Sequence, residues 1–291
     1  MPQVELVRDV RNQIGECPVW SVEEQALYWE DIEAPAIYRW VPASDEMTTW
    51  PMPSPVGAFG FRADGGLIVG LRSGIHFFDP KTGELTFVVD PEPDHPTNRL
   101  NDGKVGPDGR FWIGSMFDVP GVEREPTGAL YCIEPDGTCR KVLDGLYVSN
   151  GLAWSPDGKT MYHSDSGGNY IKTYDYDLAR GEIANGRVIA TPGEPEGRPD
   201  GAAVDVEGNY WSAGVSAGCI NRFRPDGTLV EKLELPTPCP TMCCFGGPDL
   251  RTLYITSLRR NPELLAKFPT AGGVFMMRVD VPGLADNFFS G

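Results

Sequence analysis

PDGRFWIGS, residues 107–115, reads as a tight turn feeding a short apolar strand. Asp-Gly supplies the positive φ that such a turn requires, and the aromatic and β-branched residues after it suit a half-buried strand. Outward from this stretch the same pattern returns in EEQALYWED (23–31), ADGGLIVGL (63–71), PDGKTMYHSD (156–165), VEGNYWSAG (206–214) and PDLRTLYITS (248–257). Aligned on Leu27, Leu67, Phe111, Met161, Tyr210 and Leu253, the copies are spaced by 40, 44, 50, 49 and 43 residues. An alternating apolar strand follows each copy: AIYRWVPAS (36–44), GIHFFDPKTG (74–83), ALYCIEPDG (129–137), YIKTYDYDL (170–178), CINRFRPDG (219–227) and GVFMMRVDV (273–281). Two strand types recurring together at this period are the signature of a propeller. The sequence therefore predicts an all-β chain, a single domain over residues 1–291 built as a six-bladed β-propeller of four-stranded blades. VELVRD (4–9) has no earlier strand to pair with, so it is expected to complete the last blade, joining N- and C-terminal strands and hiding an edge. One short helix is expected at 261–267, with Asn261 as N-cap and Pro262 in the first turn.

Composition narrows the function classes. The 35 glycines and 27 prolines are spread along the chain, as many short strands joined by turns require. A formal net charge of −16 opposes binding to a phosphate backbone, so no nucleic-acid partner is expected. The seven cysteines form no Cys-x-x-Cys pair, and with His76, His95 and His163 they offer no zinc site of the usual Cys/His spacing. No apolar leader or long apolar run occurs, so a reducing cytoplasmic setting without membrane contact is expected, and no obligate protein partner is evident.

A third strand precedes each turn-strand copy: GECPVW (15–20), PVGAFGF (55–61), LNDGKVG (100–106), SNGLAWS (149–155), PDGAAVD (199–205) and TMCCFGG (241–247). These are expected to be the innermost strands, around the central channel. Counting back ten or eleven residues from each aligned apolar position picks out Glu16, Val56, Asn101, Asn150, Asp200 and, in the sixth blade, Met242 or Cys243. Carboxylate and amide oxygens facing one another in a narrow channel suit a hard divalent cation such as Ca²⁺, Mg²⁺ or Mn²⁺. Two acids with no cation between them would repel, and one would tend to keep its proton. The bland alternative is that Asn150-Gly151 and Asp200-Gly201 are only turn formers; Gly-Glu-Cys-Pro at 15–18 resists that reading best.

GECPVW (15–20), RLNDGKVGPDGRFWIGSM (99–116), SNGLAWSPDGKTMY (149–162), RPDGAAVDVEGNYW (198–211) and CCFGGPDLRTLYIT (243–256) together resemble the senescence-marker-protein (regucalcin), gluconolactonase and luciferin-regenerating family of six-bladed propellers. The resemblance runs along almost the whole chain. It implies one divalent metal held by Glu16, Asn150 and Asp200, its identity open among Ca, Zn, Mg, Mn and Fe, and substrate contacts from Arg99 and Asn101. It implies hydrolysis of a sugar lactone, with Asp200 as the candidate general base. An acidic substrate contact of some members falls at Asp118 or is lost. The stretch VPGVEREPTG (119–128) is long enough to lie over the channel mouth, with Phe117 and Tyr147 as candidate apolar walls. Asp102 is expected on the opposite face from Asn101, bonded to a turn or backbone amide, and Trp20, Trp112, Trp154, Trp211, Cys243, Cys244 and His163 are expected in packing roles. The competing functions are an esterase or organophosphate hydrolase on the same channel, a calcium-binding regulatory propeller without turnover, and a protein-interaction propeller, which would not require Glu16, Asn150 and Asp200 to converge.

Overall fold

The Asp-Gly turns behave as their chemistry dictates. Gly158 sits at φ 67° and its amide donates to the Ser155 carbonyl at 2.8 Å, which reverses the chain between two strands of one repeat. The protein is described here by a computed structural model, over residues 3–259 and 262–291. Six sheets follow one another along the chain, numbered below as blades one to six. Their innermost strands are Gly15–Ser21, Val56–Arg62, Asn98–Val105, Ser149–Trp154, Arg198–Val204 and Pro240–Gly246. Each touches the inner strand of the blade on either side, and the sixth meets the first, so the ring is closed. These strands are almost entirely buried, whereas outer strands such as Glu46–Pro51 and Glu182–Ala190 are largely exposed.

The predicted closure is present. Glu5–Arg8 pairs antiparallel with Val274–Arg278 as the outermost strand of the sixth blade. Arg8 also forms an ion pair with Asp45 and lies 4.4 Å from the centre of the Trp40 ring, so the strand ties the sixth blade to the first. Aromatic contacts fill the seams between blades: Trp20 stacks on Tyr254 at 5.4 Å, Trp112 meets Trp154 edge-on at 6.3 Å, and Trp211 meets Phe245 at 5.5 Å. The four tryptophans expected as packing residues are all buried. The short helix is present as Pro262–Lys267, with proline at its first position; the expected cap, Asn261, lies outside the described residues. No helix among the described residues is long and apolar enough to cross a membrane.

Two features depart from the sequence reading. The second blade carries a fifth strand, Phe288–Phe289, which pairs parallel with Val56–Arg62 on its channel side. The tail leading to it runs under the ends of the inner strands. Asp286 accepts the Trp20 amide at 3.2 Å, Asn287 donates to the Val105 carbonyl at 3.1 Å, and the Ser290 amide donates to the Gly109 carbonyl at 3.0 Å. This strand escapes the repeat pattern because it belongs to no repeat and is only two residues long. Secondly, every inner strand breaks register with its neighbour near the position counted from the sequence: between Glu16 and Val19, Val56 and Ala58, Leu100 and Gly103, Asn150 and Ala153, Pro199 and Ala202, and Pro240 and Cys243. A bulge re-aims a side chain; in the second blade the counted position, Val56, is instead fully buried in the apolar core and lines no part of the channel's polar cavity.

Candidate active site

The bulges aim polar side chains into one end of the channel. In the first blade Cys17 takes a left-handed backbone at φ 47°, a conformation costing a non-glycine residue about 1–3 kcal/mol. Its amide donates to Glu16 Oε2 at 3.0 Å, which fixes the carboxylate facing the channel. In the fourth blade Gly151 sits at φ 66°, and a Cβ there would fall 2.2 Å from the Tyr210 hydroxyl, so only glycine lets Asn150 occupy its place. Glu16, Asn101, Asn150 and Asp200 then line one cavity of about 100 Å³, as the sequence reading required.

A chain of hydrogen bonds orders the amides. Arg99 Nη1 donates to Asn101 Oδ1 at 2.7 Å, and Asn101 Nδ2 donates to the Ser149 carbonyl at 2.9 Å and to Asn150 Oδ1 at 3.1 Å. Asn150 Nδ2 donates to Ser166 Oγ at 2.7 Å, and that hydroxyl donates to the Pro199 carbonyl at 2.6 Å. Asn150 is thereby oriented with Oδ1 on the channel side and a second lone pair available.

The electrostatics are those of acids crowded without a counter-charge. Burial holds the Glu16 carboxyl well above the usual carboxylate range, and Asp200 and Asp102 push it further. Asp200 is pushed up to about 7 by burial and by Asp102, with Arg198 opposing. Asp102 Oδ2 accepts the Leu152 amide at 3.2 Å, the backbone-satisfying role expected of it, and burial raises its carboxyl too. Two carboxylates and an amide oxygen make an oxygen-only set that a hard divalent cation fits, and such a cation would relieve the repulsion. Glu16 and Asp200 are the only acids lining the cavity, and no cluster of three His, Cys, Asp or Glu suited to a metal occurs among the described residues.

A larger cavity, about 240 Å³, lies over the tail at the other end of the channel. Its charged groups are already engaged, Lys104 with the Ala202 carbonyl at 3.1 Å and Asp286 with the Trp20 amide, and it gathers no comparable donor set.

Residues 14–259 match the family described as SMP-30/Gluconolactonase/LRE-like region. The chain belongs to this family. Among relatives of the SMP-30/gluconolactonase type, it is 42% identical over 283 residues to a 6-deoxy-6-sulfogluconolactonase of Pseudomonas putida, covering 96% of this chain and 95% of that one. It is 36% identical over 293 residues to an L-arabinolactonase of Azospirillum brasilense, covering 99% and 96%. A solved calcium-binding protein, regucalcin, from Agrobacterium tumefaciens superposes with a TM-score of 0.94 at 26% identity, covering 100% of this chain and 98% of that one.

Within this SMP-30-type channel several residues stand apart from the sequence reading. The sixth blade presents Thr241 to the cavity, whereas Met242 and Cys243 are fully buried: Met242 packs against Gly201, and the Cys243 thiol faces the Trp211 carbonyl. The count of ten or eleven stopped one residue short there: Thr241 lies twelve before Leu253, because Leu253 pairs with Phe245, one residue inside the end of the inner strand, whereas Tyr210 pairs with Val204 at the end of its own. Neither proposed wall residue lines the cavity; Met116 and Val148, next in sequence to Phe117 and Tyr147, do, together with Ile14, Ile32, Val215 and Leu258. Asp118 does not line the cavity; it pairs with Arg72 and lies 3.6 Å from Arg99 Nε, so it stands behind the arginine. The 119–128 stretch does reach the mouth, through Arg124. Arg124, Arg198 and Ser166 went unread. So did Glu30, fully buried opposite Glu16 in the strand register, with neither oxygen hydrogen-bonded among the described residues. Arg198 had a signal: it lies two residues before Asp200, as Arg99 does before Asn101, and alternate strand residues share a face.

Proposed function

We propose that this protein hydrolyses the ring ester of a five- or six-carbon sugar lactone, with Glu16, Asn150 and Asp200 holding one divalent cation. The observation that carries the reading is the convergence of these three oxygen donors on one cavity with Arg99 and Asn101, in a chain related to two proteins named as lactonases. The calcium-binding relative supports Ca²⁺ as the first cation to test.

When bound, the cation supplies Lewis-acid polarisation of the ester carbonyl. The chain's own groups do the rest. Arg99, locked to Asn101 Oδ1 at 2.7 Å, offers its remaining guanidinium donors to the ring hydroxyls, and Asn101 Oδ1 keeps a second lone pair to accept from one, so the pair holds the ester in one orientation. Asp200 takes the proton from the attacking water as its oxygen bonds to the carbonyl carbon. The ring carbon–oxygen bond then breaks as the ring oxygen takes that proton from Asp200 and leaves as a hydroxyl. The product is the open-chain acid.

The test is to strip the protein with chelator and follow acid release from a panel of five- and six-carbon lactones. Turnover restored by a divalent cation is the expected result. Tight calcium binding with no turnover on any lactone would instead favour a regulatory propeller. Asp200→Asn is expected to lower kcat by about 100-fold or more, the scale of a lost general base, with a much smaller loss of cation affinity. Equal losses in both would reduce Asp200 to a ligand.

A further inference from the structure

The chain carries a formal net charge of −16, yet the mouth of its channel is cationic. Arg99, Arg124 and Arg198 all line the cavity, and Arg72 stands close behind Arg99. The nearby carboxylate Asp118 is committed to Arg72 and Arg99. Arg99 is further tied to Asn101 Oδ1 at 2.7 Å and to the Leu100 carbonyl at 3.0 Å. Arg198 has no carboxylate within 4.0 Å among the described residues.

Arg124 and Arg198 also differ from Arg99 in position. Arg99 is buried, whereas both of these are exposed residues that reach the cavity from its solvent side. They arrive from different blades: Arg124 from the 119–128 loop of the third blade, Arg198 from the first residue of the fifth blade's inner strand. They therefore flank the fourth blade, which contributes Asn150 and Ser166 between them. The Arg99 guanidinium is held below its ordinary value by burial first, and by its cationic neighbours Arg124 and Arg72 against the pull of Asp118. A bound anion would relieve that repulsion.

A neutral lactone needs only hydroxyl-directed polar groups, which the Arg99 donors and the Asn101 acceptor already provide. Two further guanidiniums at the rim exceed that need, and their forked donors match a tetrahedral or planar oxyanion. We propose that Arg124 and Arg198 bind an anionic substituent on the substrate, remote from the ester, so that the protein prefers a hexonolactone carrying a sulfonate or phosphate at its far end. This rests on the lactonase reading and narrows its substrate class.

The test compares kcat/KM for 6-deoxy-6-sulfogluconolactone, 6-phosphogluconolactone and unsubstituted gluconolactone, using the cation-loaded protein. The wild type is expected to favour one or both anionic lactones by about tenfold or more, mainly through KM, and the advantage shrinks as salt is raised. The sulfonate and phosphate arms distinguish the two oxyanions. Arg124→Gln and Arg198→Gln are each expected to lower kcat/KM for the anionic lactone at least about fivefold more than for the neutral one, with Arg198→Lys recovering part of the difference. Equal rates of the wild type on charged and neutral lactones, or variants that lower both alike, would overturn the proposal. Absence of turnover on all three lactones would count against the lactonase reading instead. The anion site is then read by calorimetry with the open-chain acids: tighter binding of 6-deoxy-6-sulfogluconate or 6-phosphogluconate than of gluconate, lost in Arg198→Gln, upholds it, and no difference sinks it.

Discussion

His163 carries the clearest pH dependence at the residue scale. It is fully buried on the second strand of the fourth blade, and its Nε2 lies 2.9 Å from Ser149 Oγ. Burial holds the imidazole down to about 4, with Lys172 in the same direction and Asp165 opposing. Between the ordinary imidazole value of 6.5 and 4, the unfolded chain takes up a proton that the folded one refuses. Stability from this residue is therefore complete above 6.5, lost as pH falls through that window, and flat below 4. The gap corresponds to about 3 kcal/mol. His163→Gln is expected to flatten the acid limb of a urea-denaturation series by about that amount relative to wild type; parallel curves would show that the ring titrates normally. Legibility at this scale follows the same physics. Glu16, Asn150 and Asp200 could be read because they sit at repeated positions in a repeated unit. Glu30 could not: beside Asp31 at the end of a strand it looks like a solvent-facing acid, and only the packed structure shows it fully buried. Arg124 could not either, because loop conformation decides where its side chain points.

The elements divide in the same way. Inner and second strands announce themselves through Asp-Gly turns and apolar runs, and closure by the first strand follows from the lack of an earlier partner. Phe288–Phe289 is too short for any periodicity and pairs with a strand more than 200 residues away, so only the packed structure reveals it. The N-terminal strand gives the prediction that belongs here. Glu5–Arg8 satisfies the edge of Val274–Arg278, and Arg8 adds an ion pair with Asp45 and a contact with the Trp40 face. Deleting residues 1–9 leaves that edge open and removes the tie to the first blade. The expected cost is about 3 kcal/mol, from several backbone hydrogen bonds and one cation–π contact. An open edge also invites pairing with a second copy. A lower melting temperature together with concentration-dependent association in light scattering is the expected outcome; a deletion that melts at the wild-type temperature would show that the ring closes without this strand.

At the scale of the whole molecule, the proposed cation donors come from three different blades: Glu16 from the first, Asn150 from the fourth and Asp200 from the fifth. A cation held by all three would clasp the ring across its channel, and its effect should appear in global unfolding as well as in turnover. Without it, Glu16 faces Asp200 and Asp102 in a buried setting that disfavours its charged form. Glu16→Gln removes the ionisable acid while keeping the size and the acceptor for the Cys17 amide. At pH 8 in chelator, the variant is therefore expected to be more stable than wild type, because removing one of the crowded acids relieves their repulsion. Calcium should reverse the order. Wild type gains RT ln(1 + [L]/Kd), about 2.7 kcal/mol at 100 times Kd, whereas the variant lacks one of two carboxylates and should gain far less at the same concentration. The two unfolding curves should cross as cation is added, with Mg²⁺ and Mn²⁺ run in parallel to rank the ions. A variant that gains as much as wild type would remove Glu16 from the donor set, and a wild type that gains nothing would remove the cation from the account of this channel.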